Sequence, residues 1–434
     1  MYKKYVCVMF PYPSGSGLHI GHYYNYAVID SYCRYLRKNG HSVFQPFGYD
    51  AFGLPAENYA RKVGRHPAEV TNENIANFRL QMSSMNTGYE EKLVTTDPAY
   101  IKWTQWLFLK LMEHGLAYKA YSDVNFCPSC ETVLANEQVK GCKCERCNSQ
   151  VVSKSMDQWF FKITAYKDRL LDFSKVDYPE KTKKAQREWI LNSVGINGDA
   201  APGLKDWCVS RQRSWGCPIP VEGETDTLDT FVDSSFYYVR YCDPHNDTEL
   251  CARDRYKQVD VYVGGNEHAC MHLIYARFIH MFLYDIGVVP TEEPFRRVVH
   301  QGMILKDNHK MSKTIGNVVS PDGYDPDELR LYLMFIGPYF DGGSWSDQNF
   351  VGIQRFVRRL VEWLGRSGQD HVDTQDFRNE VFSLADAFKF NRVVSTMMIF
   401  VNQHRTKNLN DESKRAILDV VEVFAPGIRD KVIV

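Results

Sequence analysis

Two pairs of basic side chains, far apart in the chain, have the types and the spacing needed to bind phosphate groups. His19 and His22 are three residues apart, with Gly21 between them, directly after a turn-rich segment. Lys310 and Lys313 repeat this spacing about 290 positions later in a polar segment. Imidazole and ammonium groups donate hydrogen bonds to anionic oxygens, and a helix N-terminus adds N–H groups and a positive dipole end. Either pair alone would more often occur by chance on a protein surface. The presence of both pairs in this order predicts a site that binds and activates ATP.

The segments around these pairs have the pattern of strands and helices that is expected for the two halves of a parallel sheet. The apolar run Tyr5 to Phe10 predicts a buried strand, and a helix should begin near His19 after a glycine-rich turn. Val43 to Phe47 predicts a second strand, and Val259 to Val263 and Phe295 to Val299 predict two later ones. Strand, glycine turn and helix in this order are typical of nucleotide-binding halves. The predicted fold is therefore α/β, a Rossmann-like doubly wound parallel sheet.

Composition is that of a globular protein with a large core. The chain has 434 residues, of which 44% are hydrophobic and 24% charged, so two to four structural units are expected. The sequence has no apolar run of the roughly 18 residues that a membrane span needs and no secretory pattern at its start, which predicts a cytoplasmic location without membrane contact. A formal net charge of -1 gives no overall attraction to polyanions. The cluster Arg355, Arg358 and Arg359 is interpreted as a solvated helix face rather than an RNA contact.

Four of the twelve cysteines have the spacing of a metal site. Cys127 and Cys130 form one C-x-x-C knuckle, and Cys144 and Cys147 form a second one, with thirteen residues between the two. Four thiolates suit tetrahedral zinc, and a closed site of this kind is structural because no position remains open for catalysis. Cys142 is a possible substitute ligand with poorer spacing, and a redox or free-thiol role is the alternative. The scattered remaining cysteines fit a reducing compartment.

Longer blocks around these residues resemble the leucyl-tRNA synthetase family, a branch of the class I aminoacyl-tRNA synthetases. The blocks are Met9 to Gly15, Tyr49 to Glu57, Asp206 to Trp207, Ser210 to Arg213, Gly264 to Gly265 and Glu267 to His268. They extend over roughly residues 1 to 400 and separate the leucyl branch from the isoleucyl and valyl ones. The resemblance implies activation of leucine by ATP, with Mg²⁺, to leucyl-adenylate, and transfer to a tRNA 3′ end.

The resemblance also implies roles for individual residues. The catalytic residues would be His19, His22, Lys310 and Lys313. The ATP-binding residues would be His19, Gly21, His22, Gly264, Gly265, Glu267, Gln301, Met303, Lys310 and Lys313. The leucine-binding residues would be Met9, Phe10, Tyr12, Asp50, Phe231, Ser234, Tyr237, Tyr262, His268 and His272. Asp50 and the carbonyl of Phe10 would hold the substrate ammonium, and a charge-assisted bond fits there.

Some of these residues have a plainer interpretation. Phe231, Tyr237 and Tyr262 lie in apolar segments and would, without the resemblance, be ordinary core aromatics. His268 and His272 are four apart on a predicted helix, a spacing that also suits a metal pair. Without a third ligand beside them, the resemblance favours a place in the wall of the leucine pocket.

The expected organisation departs from the family in what is missing. Where the family usually inserts a hydrolytic editing domain, between the stretches matching Gln186 to Trp189 and Asp206 to Trp207, only the linker Leu191 to Lys205 is present. The leucine-specific insert before the lysine pair is also absent, and the helical region is expected to be truncated at Val434. The clearest polar linker is residues 197–203.

The chain is therefore expected to divide into six segments, two of which are the halves of one catalytic domain. They are the first half of the Rossmann catalytic domain (1–115), a zinc-binding insertion (116–165), a connecting segment in place of the editing domain (166–205), the second catalytic half (206–305), the lysine-loop and stem-contact region (306–350) and a truncated helical bundle (351–434). The predicted helices Phe350 to Leu364 and Phe390 to Asn402 belong to the last region.

Three hypotheses for the function follow. The first is a reduced leucyl-tRNA synthetase, without editing, that charges the acceptor end of a tRNA. The second is a leucine-activating paralog that passes the aminoacyl group to a carrier protein or a small amine. The third, a non-catalytic relative, is disfavoured because both basic pairs and Asp50 are present. A monomer is expected.

Overall fold

The computed structural model describes residues 4–13, 17–135, 138–144, 147–192, 203–311 and 316–433. Lys313 and residues 197–202 of the predicted linker lie outside these ranges. Among the helices of the described part, none has the length and apolar character that a membrane crossing requires.

The strands and helices alternate in the way an α/β chain requires. The strands are β1 (Lys4–Val8), β2 (Val43–Phe44), β3 (Pro46–Tyr49), β4 (Glu90–Val94), β5 (Ala117–Cys127), β6 (Thr132–Leu134), β7 (Val139–Lys140), β8 (Lys143–Cys144), β9 (Val152–Phe161), β10 (Trp207–Cys208), β11 (Ser210–Arg211), β12 (Thr227–Leu228), β13 (Val259–Val263), β14 (Phe295–Val299), β15 (Met303–Lys306), β16 (His309–Lys310) and β17 (Gly342–Ser344). The helices are α1 (Ile20–Lys38), α2 (Leu54–Val63), α3 (Pro67–Ser84), α4 (Pro98–Glu113), α5 (Lys167–Leu171), α6 (Glu180–Leu191), α7 (Thr230–Ser234), α8 (Tyr237–Arg240), α9 (His272–Asp285), α10 (Pro326–Phe335), α11 (Asp347–Gly365), α12 (Gln375–Asp386), α13 (Phe390–His404), α14 (Asp411–Val421) and α15 (Ile428–Ile433).

The central sheet joins the two halves of the chain side by side. Its order is β14-β13-β1-β2, and every neighbouring pair is parallel. The first half contributes β1 and β2 and the second half β13 and β14, so the halves meet between β1 and β13. In doubly wound sheets this point opens a crevice at the carboxyl ends of the strands. The predicted α/β parallel fold is confirmed.

Two of the four predicted strands begin or end at residues other than those predicted. β13 and β14 coincide with the predicted ranges, but β1 ends at Val8, before the proline-rich turn, where Pro11 and Pro13 have no N–H to donate. The predicted strand Val43 to Phe47 is split into β2 and β3. The interruption is Gln45, whose side chain bonds Asp30 while its carbonyl accepts from Glu90.

The sheet has a core on each face because side chains alternate along its strands. Val6 and Val8 of β1 belong to one core, with α1 and the helices from α10 onward. Tyr5 and Cys7 belong to the other, with α4, α9 and the connecting segment. The aromatic and β-branched residues of β1 are therefore buried on both sides, as a central parallel strand requires.

The insertion between the halves is a long antiparallel ribbon. β5 and β9 pair over ten residues, and β10 continues the sheet on the other side of β9. A small cluster of Cys127, Cys130, Leu134, Cys144 and Val151 fills its tip. The predicted helices near residues 350–364 and 390–402 are present as α11, which is longer at both ends, and α13, which is longer at its C-terminal end.

A buried ion pair fixes α1 against α10. Asp30 and Arg330 are both fully buried, and Arg330 Nη1 lies 2.7 Å from Asp30 Oδ2. Arg330 also donates to the carbonyls of Ala27 and Met85, at 3.0 and 2.9 Å. Burial alone would raise the pKa of Asp30, but Arg330 and then Arg34 hold that pKa below its usual value. The middle of α1 is thus tied to a helix 300 residues later in the chain.

Candidate active site

The predicted site residues gather at the carboxyl ends of the parallel strands. Met9 follows β1, Asp50 follows β3, Gly264 follows β13 and Gln301 follows β14. The Met9 N–H donates to Val263 O at 2.8 Å, which holds the β1 turn against the end of β13. A Cβ on Gly264 would overlap the Met9 side chain, which would have to move to make room for it.

His19 and His22 form the first turn of α1 and cap it. His19 is the N-cap residue, and its Nδ1 accepts from the Gly21 N–H at 3.0 Å. His22 Nδ1 accepts from the His19 N–H at 3.2 Å, and the ring centroids lie 3.9 Å apart. Because both Nδ1 atoms accept, each neutral ring carries its proton on Nε2. Both imidazoles can therefore donate through Nε2 at a helix N-terminus, where the dipole also favours anions.

A β-hairpin presents Lys310. β15 and β16 are joined by Asp307 and Asn308, whose φ values of 54° and 61° form a tight hairpin turn. Asn317 donates to the carbonyls of Lys306 and Lys310, each at 3.3 Å. Lys310 is exposed, whereas the adjacent Met311 is buried in the core, so the hairpin end is anchored directly beside the lysine.

Gly302 joins β14 to this hairpin at a point with no room for a side chain. A Cβ there would overlap the backbone at Asp341 and Gly342. Beside it, Met303 is 45% exposed, and Gln301 Oε1 is buried with no hydrogen-bond partner in the part of the chain that the structure describes. Gln301 therefore offers an unused acceptor at the end of β14.

Asp50 is a buried carboxyl group with one unused oxygen. Its Oδ1 accepts from the Thr230 hydroxyl at 3.2 Å, while Oδ2 is buried and has no hydrogen-bond partner among the described residues. Burial, and then the nearby Asp233, raise the pKa of Asp50 well above its usual value. Asp233 is itself buried, with Oδ1 bonded to Thr104 and Oδ2 unpartnered. This end of the crevice therefore lacks positive charge, and a cation would stabilise it.

Aromatic residues form a wall beside Asp50. Phe10 stacks on Tyr237 with centroids 3.9 Å apart and an interplanar angle of 4°. The Tyr237 and Tyr262 hydroxyls are 2.7 Å apart, and Tyr262 Oη lies 2.5 Å from His272 Nε2. Burial, and then His268, lower the pKa of His272 to about 3, so this imidazole is neutral. The hydrogen-bonded chain holds the wall rigid.

The other predicted pocket residues are less tightly connected. Phe231 contacts Tyr275 rather than the tyrosine chain, with centroids 5.7 Å apart, and the Ser234 hydroxyl donates to the Phe231 carbonyl. Met9 and Tyr12 are half-buried. Glu267 is exposed in a 3₁₀ turn, and a Cβ on Gly265 would overlap its carboxylate.

The expected helix carrying both His268 and His272 was wrong. His268 ends the 3₁₀ turn Asn266–His268, and α9 begins only at His272. The two rings are perpendicular with centroids 6.1 Å apart, and the Tyr262 hydroxyl contacts His272 Nε2. In the ranges that the structure covers, the four cysteines are the one group of three or more side chains suited to a metal ion, and His268 and His272 do not belong to such a group.

His300 is a residue of the crevice that the sequence did not reveal. Its Nδ1 lies 2.9 Å from the Gly264 carbonyl and its Nε2 2.9 Å from the Thr182 hydroxyl. It therefore ties the glycine turn after β13 to α6 of the connecting segment. The only signal in the sequence was its position directly before Gln301.

The four cysteines of the ribbon converge. One ligand atom from each of Cys127, Cys130, Cys144 and Cys147 lies within 4.8 Å of all the others. Cys127 Sγ and Cys147 Sγ are 3.4 Å apart, close to the roughly 3.8 Å edge of a tetrahedron built on Zn–S distances of about 2.3 Å. The Cys130 N–H donates to Cys127 Sγ at 3.4 Å, a bond that stabilises a thiolate. Four sulfur donors in this arrangement fit zinc.

Comparison with known proteins identifies the class of enzyme to which this fold and crevice belong. A family model for class I tRNA synthetases (M) matches residues 4–366. A Mycobacterium tuberculosis methionyl-tRNA synthetase structure shares the fold, with a TM-score of 0.74 at 20% identity over 99% of this chain and 90% of that one. The chain belongs to the class I aminoacyl-tRNA synthetases and is a ligase.

Within that class, the similarity is to the leucyl enzymes. The chain is 32% identical to a leucine–tRNA ligase of Clostridium kluyveri, over 98% of this chain and 84% of the relative. It is 31% identical to that of Caldanaerobacter subterraneus subsp. tengcongensis, over 99% and 85%. The ternary complex of Agrobacterium radiobacter K84 agnB2 LeuRS with tRNA and LeuAMS matches with a TM-score of 0.87 at 26% identity, over 99% of this chain and 84% of that one. The chain is a leucyl-tRNA synthetase-like member of its family.

The charge state of Asp50 gives a prediction about stability. Between the unfolded pKa of about 3.9 and the raised folded pKa, the folded state holds a proton that the unfolded state has lost, so Asp50 makes stability fall as pH rises. Asp50→Asn should remove this dependence. The free energy of unfolding of the variant minus that of the wild type should therefore increase with pH, by up to about 1.4 kcal/mol per pH unit in this window. Urea unfolding at intervals from pH 5 to 8 measures both.

Asp229→Asn changes a second buried carboxyl group, whose charge also contributes to the raised pKa of Asp50. Asp229 is equally buried but forms an ion pair with Arg211, so this change should destabilise by about 3–5 kcal/mol. A constant difference between Asp50→Asn and wild type from pH 5 to 8 would contradict the raised pKa.

Proposed function

We propose that this protein activates leucine with ATP to leucyl-adenylate and transfers the leucyl group to the 3′ end of a tRNA, without editing. The observation that carries the proposal is the unpartnered Asp50 Oδ2 beside the aromatic wall. A buried carboxylate and an apolar pocket together fit a substrate with an ammonium group and an aliphatic side chain.

The reaction needs charge stabilisation on the phosphate side. A carboxylate oxygen of leucine attacks the α-phosphorus of ATP, forming a P–O bond while the bond to pyrophosphate breaks. His19 and His22 would donate to phosphate oxygens through Nε2, and Lys310 and Lys313 would supply positive charge from the hairpin side. Mg²⁺ bound to the phosphates would neutralise part of the charge that moves to pyrophosphate.

The nucleoside would lie across the strand ends. Gly264 and Gly265 give the ribose and adenine close access to the backbone, and Glu267 can accept from ribose hydroxyls. Gln301 Oε1, an acceptor without a partner, suits the amino group of adenine, with Met303 alongside. Gly21 keeps the first turn of α1 open toward the base.

The leucine side chain would pack against Phe10, Tyr237 and Tyr262. His272 stays neutral beside them, so it adds no charge to an apolar pocket. Such a pocket separates substrates that differ by one methylene by only about 10- to 200-fold. Discrimination against norvaline, isoleucine and methionine would therefore be limited.

Two observations support the absence of editing. The Leu204 N–H donates to Ile190 O at 2.9 Å, so the chain on either side of residues 192–203 is held together. A segment this short is well below the roughly 40 residues that an independent domain needs. The alignment with the Clostridium kluyveri enzyme covers 685 positions, more than 250 beyond the 434 residues of this chain.

Leucine-dependent exchange of labelled pyrophosphate into ATP, without tRNA, tests the activation step. Across leucine, isoleucine, valine, methionine and norvaline, exchange should be fastest with leucine. Lys310→Ala should slow it about 100-fold or more, because a donor to the transition state is lost. Lys389→Ala removes an exposed lysine far along the chain and should leave the rate unchanged. Equal rates for the two variants would refute the role of Lys310, and no exchange by the wild type would refute activation.

Charging of a leucine-accepting tRNA transcript tests the acceptor and the lack of editing together. The wild-type protein should form leucyl-tRNA, and with norvaline it should accumulate norvalyl-tRNA without excess ATP hydrolysis. Excess ATP consumption with little norvalyl-tRNA would show that an editing step exists. Exchange without charging would favour a carrier protein or a small amine as the acceptor.

We also propose that the four-cysteine cluster holds zinc and stabilises the ribbon. The purified protein should contain about one zinc per chain, and removal by a chelator should reduce hydrogen-exchange protection in β5 to β8 while pyrophosphate exchange continues. Cys147→Ser should lose the metal, whereas Cys142→Ser should keep it, since Cys142 is outside the cluster. Full zinc content in Cys147→Ser would contradict this ligand set.

A further inference from the structure

Helix α3 holds the turn that leads from β1 into α1. The side-chain amide of Asn74 donates to the Pro13 carbonyl at 2.9 Å. Further along the helix, Gln81 Oε1 accepts from the Leu18 N–H at 2.7 Å. Residues seven apart lie on the same side of a helix, so one face of α3 bonds the chain at both of these points. The second bond is made directly before His19, the N-cap residue of α1.

Gln81 also bonds the segment that follows the lysine hairpin. Its Nε2 lies 3.1 Å from Asp322 Oδ1 and 3.3 Å from Asp322 Oδ2. The Ser320 hydroxyl donates to Asp322 Oδ2 at 2.6 Å, which helps to hold the carboxylate in place. One amide therefore joins two segments of the chain, and its two ends, Gln81 and Asp322, are 241 residues apart. We call Leu18, Gln81 and Asp322 the Gln81 bridge.

The N–H groups of the residues on both sides of His19 are bound outside α1. The Leu18 N–H donates to Gln81, and the Ile20 N–H donates to the Val319 carbonyl at 3.1 Å. The first N–H groups of a helix lack partners within it, so a distant carbonyl supplies one here. His19 is therefore held between two bonds that lead, directly or through Gln81, to the segment after the lysine hairpin.

The same later segment is bonded to the base of the lysine hairpin. Asn317 donates to the Lys310 carbonyl at 3.3 Å, and Asp322 follows five positions later. The hairpin is thus bonded at one end of this segment and the Gln81 bridge at the other. In the proposed reaction, His19, His22 and Lys310 must reach the same triphosphate. A displacement of about 1 Å can lower the rate of such a reaction by about 100-fold.

We propose that Gln81 is a positioning residue for adenylate formation, which holds the histidine pair in place relative to the lysine hairpin. The proposal rests on the proposed function and names a residue that this reaction needs without contact to ATP. Gln81 acts through Leu18 and Asp322. A primary amide suits this place because it presents an acceptor and a donor from one group. A carboxylate or an ammonium group here would bond one of the two partners and not the other.

The variant Gln81→Glu separates positioning from folding. Glutamate keeps an acceptor for the Leu18 N–H, but it has no N–H for Asp322 and places a second negative charge beside that carboxylate. Asp322 is exposed, so this bond contributes little to global stability and the variant should fold. In the first turnover with ATP and leucine, measured by rapid quenching, the rate constant of adenylate formation should fall about 10- to 100-fold. The amplitude, which counts active sites, and the KM for leucine should match those of the wild type.

A purely structural role predicts the opposite pattern. Loss of folded protein would lower the amplitude of the first turnover and leave the rate constant of the remaining sites unchanged. That pattern in Gln81→Glu, or a rate constant equal to that of the wild type, would overturn the proposal.

A second substitution, Asp322→Asn, supplies the donor that Gln81→Glu removes. In the double variant the new amide can donate to the new carboxylate, so the bridge forms again with donor and acceptor exchanged. Its rate constant should return to within about threefold of the wild-type value, a non-additive effect expected of residues in contact. Asp322→Asn alone keeps an acceptor for Gln81 Nε2 and should behave like the wild type. A double variant as slow as Gln81→Glu would show that the bridge is not the cause.

The matched control is Gln354→Glu. Gln354 Nε2 donates to Glu328 Oε2 at 3.1 Å, a bond between α11 and α10, so the substitution makes the same chemical change beside a carboxylate. It should leave the rate constant of adenylate formation unchanged. An equal fall in the two variants would show that the loss of any such bond slows the protein, and it would overturn the specific role of Gln81.

Amide hydrogen exchange without substrates tests the bridge independently of activity. Exchange over residues 18–22 and 318–324 should be faster in Gln81→Glu than in the wild type, and it should return to the wild-type rate in the double variant. Faster exchange with an unchanged rate of adenylate formation would overturn the positioning role and leave the proposed function intact. If the wild type forms no adenylate, the proposed function fails, and the positioning role fails with it even if the bridge is present.

Discussion

The geometry of the crevice depends on the buried pair of Asp30 and Arg330. Asp30 lies in the middle of α1, whose N-terminus carries His19 and His22, and Arg330 lies in α10, which follows the lysine hairpin. Asp30 also accepts from Arg34, Gln45 and Gly88, at 2.7, 3.1 and 2.8 Å. Desolvation of two charges is costly, and these extra hydrogen bonds offset it. The pair thus fixes α1, which carries the two histidines at its N-terminus, against α10, 300 residues later in the chain.

Several polar atoms of the crevice are buried without a hydrogen-bond partner among the residues that the structure describes. They are Asp50 Oδ2, Asp233 Oδ2, His272 Nδ1 and Gln301 Oε1, and three of them belong to residues placed in the site. Buried polar atoms are normally paired, since each unpaired one costs about 1–3 kcal/mol. Stability is therefore lower here than in a fully paired core, and a substrate with an ammonium group and a purine would satisfy these atoms. Asp233 was not anticipated, and its proximity makes Asp50 more dependent on a cation.

The sequence predicted the parts of this structure that depend on local pattern. The apolar runs located β13 and β14 without error, and the cysteine spacing predicted a cluster that the structure brings together. The resemblance, not the periodicity, supplied the aromatic wall, because Tyr237 and Tyr262 are also typical core residues. His300, Asp233 and the Asp30–Arg330 pair were missed because each depends on contacts between distant segments. The prediction of a helix that includes His268 was wrong, because a spacing of four residues does not distinguish a 3₁₀ turn from the start of α9.

One small sheet joins the lysine hairpin to the segment that leads into α11. β15 pairs with both β16 and β17, so the hairpin and the segment leading into α11 belong to one three-stranded sheet. Tyr324, Tyr332, Trp345 and Phe350 pack edge to face or stack beneath it, with centroids 5.0 to 5.9 Å apart. Closely packed aromatic clusters transmit displacement rather than absorb it. α11 is therefore connected to the base of the Lys310 hairpin through packed side chains and strand hydrogen bonds.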